Sequence, residues 1–281
     1  MNPVTLGLWL AGFSALTTAL AHASIKSGHD KLAVQAWVRL FGLAIALPLA
    51  LWVGLPPAYL WPWLIAAAVT HAVYQGILSF SYSVSDFSVA YPVARGTAPI
   101  LTAVAGVLLL GDALGTWLVV AIATVSIGIV LLAAGGRLSR NGLLAAMATG
   151  MLTTAYSVID ARGMRLSPDF LTFIAWFFVL DAVAMPLLFV TLRRGNAPAA
   201  FKADWRPGLS AAIMAPVSFA PALYAFALAP VGAVAAIREA SVLIGMLVAG
   251  RLLGEKVDAR RLIGAALITG GIVGIVVAST Q

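Results

Sequence analysis

The sequence predicts an all-α integral membrane protein, with ten transmembrane helices arranged as two inverted five-helix repeats. The chain is 62% hydrophobic and only 10% charged, and its mean hydropathy is +1.02. A composition of this kind lacks the polar surface that a soluble globular protein of 281 residues needs. The lipid bilayer is therefore the expected surrounding of the helices, and a repeat within the sequence predicts how they are arranged.

A helix needs roughly 20 apolar residues to cross about 30 Å of hydrocarbon. The connections between such runs are short, the longest being about 192–207, so no domain outside the membrane is expected. The predicted spans are 4–25, 32–54, 60–82, 86–110, 115–135, 141–161, 169–191, 208–228, 231–253 and 258–279.

The repeat appears when the chain is shifted by 143 residues, the interval between Arg95 and Arg238. The same shift places Leu110-Gly111-Asp112 on Leu253-Gly254-Glu255 without a gap. It predicts two halves, residues 1–136 and 137–281, with five spans each. Because five is odd, the second half enters the membrane in the opposite direction, and the halves are expected to be related by an axis in the membrane plane.

The basic residues of the connections predict the orientation. Twelve Lys and Arg residues belong to the connections that follow spans 1, 3, 5, 7 and 9, against only two, Arg162 and Arg165, on the opposite side. The richer side is expected to face the cytoplasm, which places both termini in the periplasm. This distribution also accounts for the isoelectric point of about 10.1, and no nucleic-acid partner is predicted.

Several ionisable and polar residues fall inside the predicted spans, where each unpaired charge costs roughly 2.5–3.5 kcal/mol. Arg95 and Arg238 are predicted to hold an anionic group of a substrate, while Glu239 balances Arg238 and exchanges a proton. Arg39 and Asp181 are further candidate substrate-binding residues, and structural ion pairs of Arg39, Asp181 and Glu239 remain an open alternative. The other candidate substrate-binding residues are polar or aromatic: His71, Gln75, Tyr74, Trp176 and Tyr224.

Proline and glycine predict local features of two spans. Pro92 and Pro99 flank Arg95, so span 4 is expected to be kinked or locally unwound there. Gly270 and Gly274 have the GxxxG spacing, which favours close approach of helices. Spans 5 and 10, which end the two halves, are therefore expected to pack together.

The sequence contains no cysteine, which excludes disulfides and thiol-based metal sites. A phosphate-binding Gly-Lys-Ser/Thr loop and a His-Glu-x-x-His motif are also missing from the sequence, and its three histidines are scattered. Neither enzymatic activity nor a metal or other cofactor is predicted. Transport would depend on an ion gradient, on exchange or on the gradient of the substrate itself.

The chain resembles the EamA family of the drug/metabolite transporter superfamily. The resemblance lies in the ten spans, in Arg39 of span 2, in Leu-Gly-Asp/Glu at the ends of spans 4 and 9, and in the motif Gly264 to Gly271 of span 10. It implies alternating access around a central cavity and export of amino-acid-like or other small metabolites across a bacterial inner membrane, with protons as an open partner. Uptake or exchange of organic anions, and a non-transporting scaffold or lipid-handling role, remain as alternatives.

Overall fold

A computed structural model describes residues 2–27, 29–84, 87–133, 140–244 and 259–280, and the regular structure of these residues is entirely helical. Two 3₁₀ segments, Ala58–Leu60 and Arg194–Asn196, and a π-helical turn, Gly106–Leu110, connect or extend the helices. The α-helices are α1 Pro3–Ser27, α2 Lys31–Val53, α3 Trp61–Val84, α4 Phe87–Ala105, α5 Thr116–Ala133, α6 Arg140–Leu166, α7 Phe170–Asp181, α8 Ala184–Arg193, α9 Ala197–Ala203, α10 Trp205–Leu228, α11 Val231–Arg238 and α12 Ala259–Thr280.

Many helices of the described chain present apolar side chains outward, as a lipid environment requires. Trp52 and Trp117 are each 76% exposed, and Leu108 is 75% exposed. Two apolar helical segments, Arg95–Leu110 and Thr116–Leu132, are shorter than a full span. Five described segments are long and apolar enough to cross a membrane: Pro3–Ala21, Leu32–Val53, Phe170–Ala203, Trp205–Leu228 and Leu262–Ser279. The protein is thus a multi-pass membrane protein, while the full number of ten spans stays a prediction.

Two predicted spans are broken, and the first break lies beside Pro186, where the proline predicts a kink or local unwinding. Predicted span 169–191 divides into α7 and α8 because Pro186 has no N–H for the carbonyl of Ala182 and its ring crowds that carbonyl. In predicted span 231–253, α11 ends at Arg238, and helical structure resumes over 240–244. The predicted connection 192–207 also contains α9, and α6 extends five residues beyond its predicted end at 161.

The predicted unwinding beside Arg95 is wrong, since α4 is continuous from Phe87 to Ala105 across both prolines. A proline removes one backbone hydrogen bond, and the remaining bonds can preserve the helix. The irregularity lies further on, where the π-helical turn ends at Gly111 with φ +72°. Glycine adopts this left-handed conformation without strain, and the turn directs Asp112 back toward the bundle.

The contact between α5 and α12 is close, as the sequence analysis predicts. A Cβ atom added to Gly128 would lie 2.8 Å from the carbonyl oxygen of Gly264, and one added to Gly271 would lie 2.9 Å from that of Ala121. The two helices therefore run antiparallel. The 143-residue shift takes Gly128 to Gly271 and Ala121 to Gly264, so it exchanges the two contacts with each other. Such an exchange is what the predicted inverted repeat would produce.

Of the two glycines in the predicted GxxxG motif, only Gly274 contacts α5. Gly270 has no neighbouring atom within 4 Å of a built Cβ, whereas Gly264, Gly271 and Gly274 all face α5. The contact therefore follows a spacing of seven and three residues, which keeps these glycines on one face of α12. The other boundary motifs, the predicted domain limit near 134–139 and Leu-Gly-Glu at 253–255, lie outside the described residues.

The remaining contacts between the halves also come in pairs. Helix α1 packs on α10, and α3 packs on α6. Helices α1 and α10 are predicted spans 1 and 8, whose counterparts in the repeat are spans 6 and 3, that is α6 and α3. The predicted repeat therefore relates the contact of α1 with α10 to the contact of α6 with α3. Helices α1 and α10 lie close enough for direct hydrogen bonds between them. The Ser218 hydroxyl donates to the Ser14 carbonyl and is hydrogen-bonded to the Thr18 hydroxyl.

Substituting Gly128 by valine should lower the free energy of unfolding by about 1–3 kcal/mol, since the new side chain would overlap the backbone of α12. Thermal unfolding of the purified protein in detergent measures the change. Gly270→Val is the matched control and should unfold at the wild-type temperature. Equal stability of the two variants would contradict the described packing of α5 and α12.

Candidate functional site

The centre of the candidate site is a buried ion pair between the two halves of the chain. Nη1 of Arg95, on α4, donates to Oε1 of Glu239 over 3.0 Å. Glu239 is 2% exposed and Arg95 is 7% exposed. The backbone departs from the regular α-helix at Glu239, whose N–H donates to the carbonyl of Ala236 and whose own carbonyl accepts from Val242. The acid thus lies at a helix break rather than within a regular helix.

This pairing corrects the predicted one. The sequence analysis expects Glu239 to balance Arg238, its neighbour in sequence, but Glu239 binds Arg95 instead. Arg238 makes no ion pair in the part of the chain that the structure describes, and its Nε has no hydrogen-bond partner there. Its guanidinium lies over the ring of Phe219, 5.3 Å from the ring centroid, which is a cation–π contact.

A second buried pair, which the sequence analysis missed, joins α3 and α6. Nε2 of His71 lies 3.0 Å from Oδ2 of Asp160, and Asp160 is completely buried. Asp160 was overlooked because the predicted span ends at 161, which places it at the membrane surface. Helix α6 continues to Leu166, so Asp160 lies more than a turn deeper. A longer predicted span, ending near the basic residue Arg165, would have placed Asp160 inside the membrane.

Aromatic rings surround His71. The centroid of its ring lies 4.3 Å from that of Tyr156, 5.0 Å from that of Phe177 and 5.1 Å from that of Phe219. Tyr74 packs edge-on against Tyr156 at 5.2 Å. Because Phe219 contacts both His71 and Arg238, the His71–Asp160 pair and the unpaired arginine belong to one site. Asp160 and Glu239 both interact electrostatically with Arg238.

Arg39 and Asp181 also pair with each other. Nη1 of Arg39 lies 2.6 Å from Oδ2 of Asp181, and both side chains are buried or nearly so. Asp181 is the last residue of α7, so the pair attaches the break between α7 and α8 to α2. This geometry matches the structural alternative for these two residues.

The other predicted binding residues are distributed more widely. Trp176 donates its indole N–H to the carbonyl of Gly54, after the end of α2, and Tyr224 stacks on Phe170 at the start of α7. Neither of these two contacts involves a charged side chain, although both residues pack in the same apolar cluster as Phe219. Gln75 is half-buried on α3, directly after Tyr74.

Charged residues also connect the two halves at the end of the bundle where α2 begins. Both oxygens of the buried Asp204 accept backbone N–H groups, from His29 over 2.8 Å and from Asp30 over 2.7 Å. Oδ2 of Asp30 accepts from Nε of Arg193 over 2.6 Å. This hydrogen bond to Arg193 holds the pKa of Asp30 below its usual value. A cavity of about 500 Å³ lies against these residues.

At the opposite end, Asp112 joins the end of α4 to the second half. Its Oδ1 accepts from Nη1 of Arg165 over 2.7 Å, and its Oδ2 accepts from the backbone N–H of Val231 over 2.7 Å. The carboxylate therefore caps the start of α11. Arg165 also donates to the carbonyls of Phe226 and Ala229 at the end of α10. The Leu-Gly-Asp sequence is thus a turn and cap that joins four helices.

A second cavity, of about 360 Å³, lies near this end, lined in part by Val4, Thr116 and Pro230. Neither of the two cavities is lined by Arg95, Arg238 or Tyr74. Among the described residues, no group of three His, Asp or Glu side chains could hold a metal ion.

The fold and the site define a helical membrane protein with an ionisable interior. Residues 140–277 match the EamA-like transporter family, which belongs to the drug/metabolite transporter superfamily. The match confirms the predicted family and covers the second half of the chain. The chain is therefore a membrane protein of the drug/metabolite transporter type, in a family of transporters rather than enzymes.

A solved structure described only as "Crystal structure of protein" has the same fold. It is 19% identical in sequence to this chain and superposes with a TM-score of 0.77, covering 100% of this chain and 99% of that chain. No curated protein sequence matches the chain.

Replacing Asp204 by alanine should lower the free energy of unfolding by about 1–3 kcal/mol at neutral pH, because two partly buried N–H groups lose their acceptor. Burial raises the pKa of Asp204, but the N–H groups of Asp30 and His29 outweigh it and lower the pKa overall. The stabilisation is thus present above the usual carboxyl pKa and lost as the pH falls through the lowered value.

Thermal unfolding of the wild-type protein and of Asp204→Ala across the acidic range measures this effect. The difference in stability between the two should shrink on acidification. Lys202→Ala, at an exposed position two residues earlier, should follow the wild-type curve. A difference that stays constant down to low pH would mean that the Asp204 carboxylate does not stabilise this end of the bundle.

Proposed function

We propose that the protein is a bacterial inner-membrane secondary transporter that moves small polar or amphipathic metabolites bearing an anionic group, such as amino-acid-like compounds. Arg238 is the observation that carries the proposal. Its side chain is half-buried with a buried Nε, and it has no carboxylate partner among the described residues, whereas Arg39 and Arg95 each have one. Buried charges are normally paired, so an unpaired guanidinium favours a ligand that supplies the anion.

Arginine suits this role because its planar guanidinium binds carboxylate or phosphonate groups bidentately and keeps its charge. The neighbouring rings of Phe219, Tyr156 and Tyr74 provide an apolar surface for the rest of the substrate. Of the two arginines predicted to bind substrate, Arg238 is the binding residue in this proposal. Arg95 instead fixes Glu239 and thereby the helix break beside Arg238.

Two directions of transport are compatible with this site. Export of amino-acid-like metabolites is implied by the family resemblance, and we retain it as the proposed direction. Uptake or exchange of organic anions is the second candidate, favoured by the absence of an acidic partner for Arg238 in the described chain. An amino-acid-like substrate carries a cationic group beside its anionic group, whereas a simple organic anion does not.

Alternating access requires two halves that move relative to each other. We propose that residues 1–136 and 137–281 are inverted repeats, as the exchanged contacts of α5 and α12 support. The bridges Asp30–Arg193 and Asp112–Arg165 both join residues of different halves. They are suited to act as gates at the two ends of the bundle, one opening while the other holds.

Replacing Arg238 by glutamine should abolish substrate binding while preserving the fold, because no ion pair is broken in the described chain. The measurement is ligand-induced thermal stabilisation of the purified protein by 3-phenylpropionate, L-phenylalanine and phenylphosphonate. A ligand at 100 times its Kd stabilises the protein by about 2.7 kcal/mol. Wild-type protein should be stabilised by at least one of these compounds, and Arg238→Gln by none.

Arg194→Gln, at an exposed position, is the control and should retain the ligand effect. Arg95→Gln should instead lower the stability without ligand, by about 3–5 kcal/mol, because it leaves Glu239 buried and unpaired. Undiminished stabilisation of Arg238→Gln would refute the proposed binding residue. If no anion of a wider panel stabilises the wild-type protein, the scaffold or lipid-handling alternative is favoured.

We further propose that both termini lie in the periplasm. In intact cells, a cysteine at Lys202 should be protected from membrane-impermeant thiol reagents, and one at Pro168 should be labelled, since the basic connections face the cytoplasm. Both positions are exposed, and the chain has no native cysteine to interfere. Labelling of Lys202→Cys but not Pro168→Cys would reverse the orientation.

A further inference from the structure

We propose that the His71–Asp160 pair takes up a proton when an anionic substrate binds at Arg238, so that substrate and proton are transported together. This inference rests on the proposed function of Arg238 and extends it to energy coupling. It assigns the proton to a pair of residues on α3 and α6, in place of Glu239.

The balance of charges in the interior is the first argument. Within the described bundle, three arginines and three carboxylates lie in the interior: Arg39, Arg95 and Arg238, with Asp160, Asp181 and Glu239. The set is neutral when the imidazole of His71 is neutral. A bound anion would add one negative charge inside the membrane, where an uncompensated charge is costly. One proton restores neutrality.

The partners of the three carboxylates identify where that proton binds. Asp181 and Glu239 are each held by an arginine, a side chain that keeps its charge. Asp160 instead has the imidazole of His71, 3.0 Å away, as its partner. Imidazole is the side chain that ordinarily changes charge near neutral pH. The proton therefore goes to His71 and is stabilised by Asp160.

Coupling to the substrate follows from the position of Arg238. The centroid of the Phe219 ring lies 5.1 Å from the centroid of the His71 ring and 5.3 Å from the guanidinium carbon of Arg238. Without substrate, the positive charge of Arg238 opposes a second positive charge on His71. An anion bound to Arg238 cancels this opposition, and a proton on the His71–Asp160 pair balances the added negative charge.

The remaining described groups around His71 do not supply another proton site. Tyr74 follows it within one turn of α3, Tyr156 lies on α6, and Phe177 and Phe219 come from α7 and α10. The other acids are already paired, Asp181 with Arg39 and Glu239 with Arg95. Of these three acids, only Asp160 is both in contact with His71 and without an arginine partner in the described chain.

A chemical consequence distinguishes two kinds of substrate. A simple carboxylate needs a proton to be neutral in the site, and a higher proton concentration outside the cell would then drive its uptake. An amino acid carries its own ammonium group and compensates its carboxylate without any proton. 3-Phenylpropionate and L-phenylalanine differ only in that ammonium group, so they form a matched pair of ligands.

The test is calorimetric binding of each compound to the purified full chain near neutral pH, in buffers with different enthalpies of ionisation. The slope of the binding enthalpy against the buffer enthalpy gives the number of protons taken up. We expect about one proton for each 3-phenylpropionate and about none for each L-phenylalanine that binds. His71→Gln should bind 3-phenylpropionate without taking up a proton.

Nuclear magnetic resonance of protein labelled with ¹⁵N-histidine provides a second measurement. The chain has three histidines, and the ring signal missing from His71→Gln identifies His71. This signal should move from the neutral to the imidazolium position when 3-phenylpropionate binds. Asp160→Asn should prevent the change while keeping the signal.

Binding of 3-phenylpropionate without proton uptake, or with uptake that persists in His71→Gln, overturns the inference and leaves the role of Arg238 intact. If neither compound binds and no anion of a wider panel stabilises the wild-type protein, the proposed function fails and the inference fails with it.

Discussion

The buried ion pair of Arg95 and Glu239 is the constraint on which the interior of this protein depends. It joins α4 in the first half to the helix break in the second half, and both side chains are almost completely withdrawn from solvent. Removing one partner of such a pair costs about 3–5 kcal/mol because the other charge is left buried. The pair therefore fixes the position of the second half relative to the first at the level of the candidate site.

Acidic residues coincide with both helix breaks described in the second half. Asp181 ends α7, and Glu239 follows the end of α11. A regular helix satisfies its own backbone groups and leaves no freedom to redirect a side chain, whereas a break tolerates irregular backbone inside the bundle. Each break turns an acid toward an arginine on another helix, Arg39 or Arg95. The irregular backbone and the ion pairs are thus parts of one arrangement.

Length and hydropathy predicted most of the fold, because a chain this apolar can satisfy its backbone only as membrane helices. The partners of the charges were not predictable in the same way. Neighbouring residues on a helix point in directions about 100° apart, so Arg238 and Glu239 could not pair while both lay on a regular helix. The role of Asp160 depended on where α6 ends, which apolar composition alone leaves uncertain by a turn. The glycine contact likewise depended on which face of α12 meets α5.

The predicted repeat explains why the two halves contribute different charged residues to the site. The 143-residue shift takes Arg95 to Arg238, but it takes Gly96 to Glu239, and Gly96 packs so closely on α5 that a Cβ atom would lie 2.7 Å from the side chain of Val130. The first half thus has no room for an acid at this position. Two equivalent arginines share one carboxylate, and Arg95 binds it. The same shift takes Thr17 to Asp160 and His71 to Met214, so the repeat does not reproduce the ionisable pair. A cation without a carboxylate partner in the described chain therefore lies beside a His–Asp pair, and this asymmetry is the basis of the proposed coupling of substrate and proton.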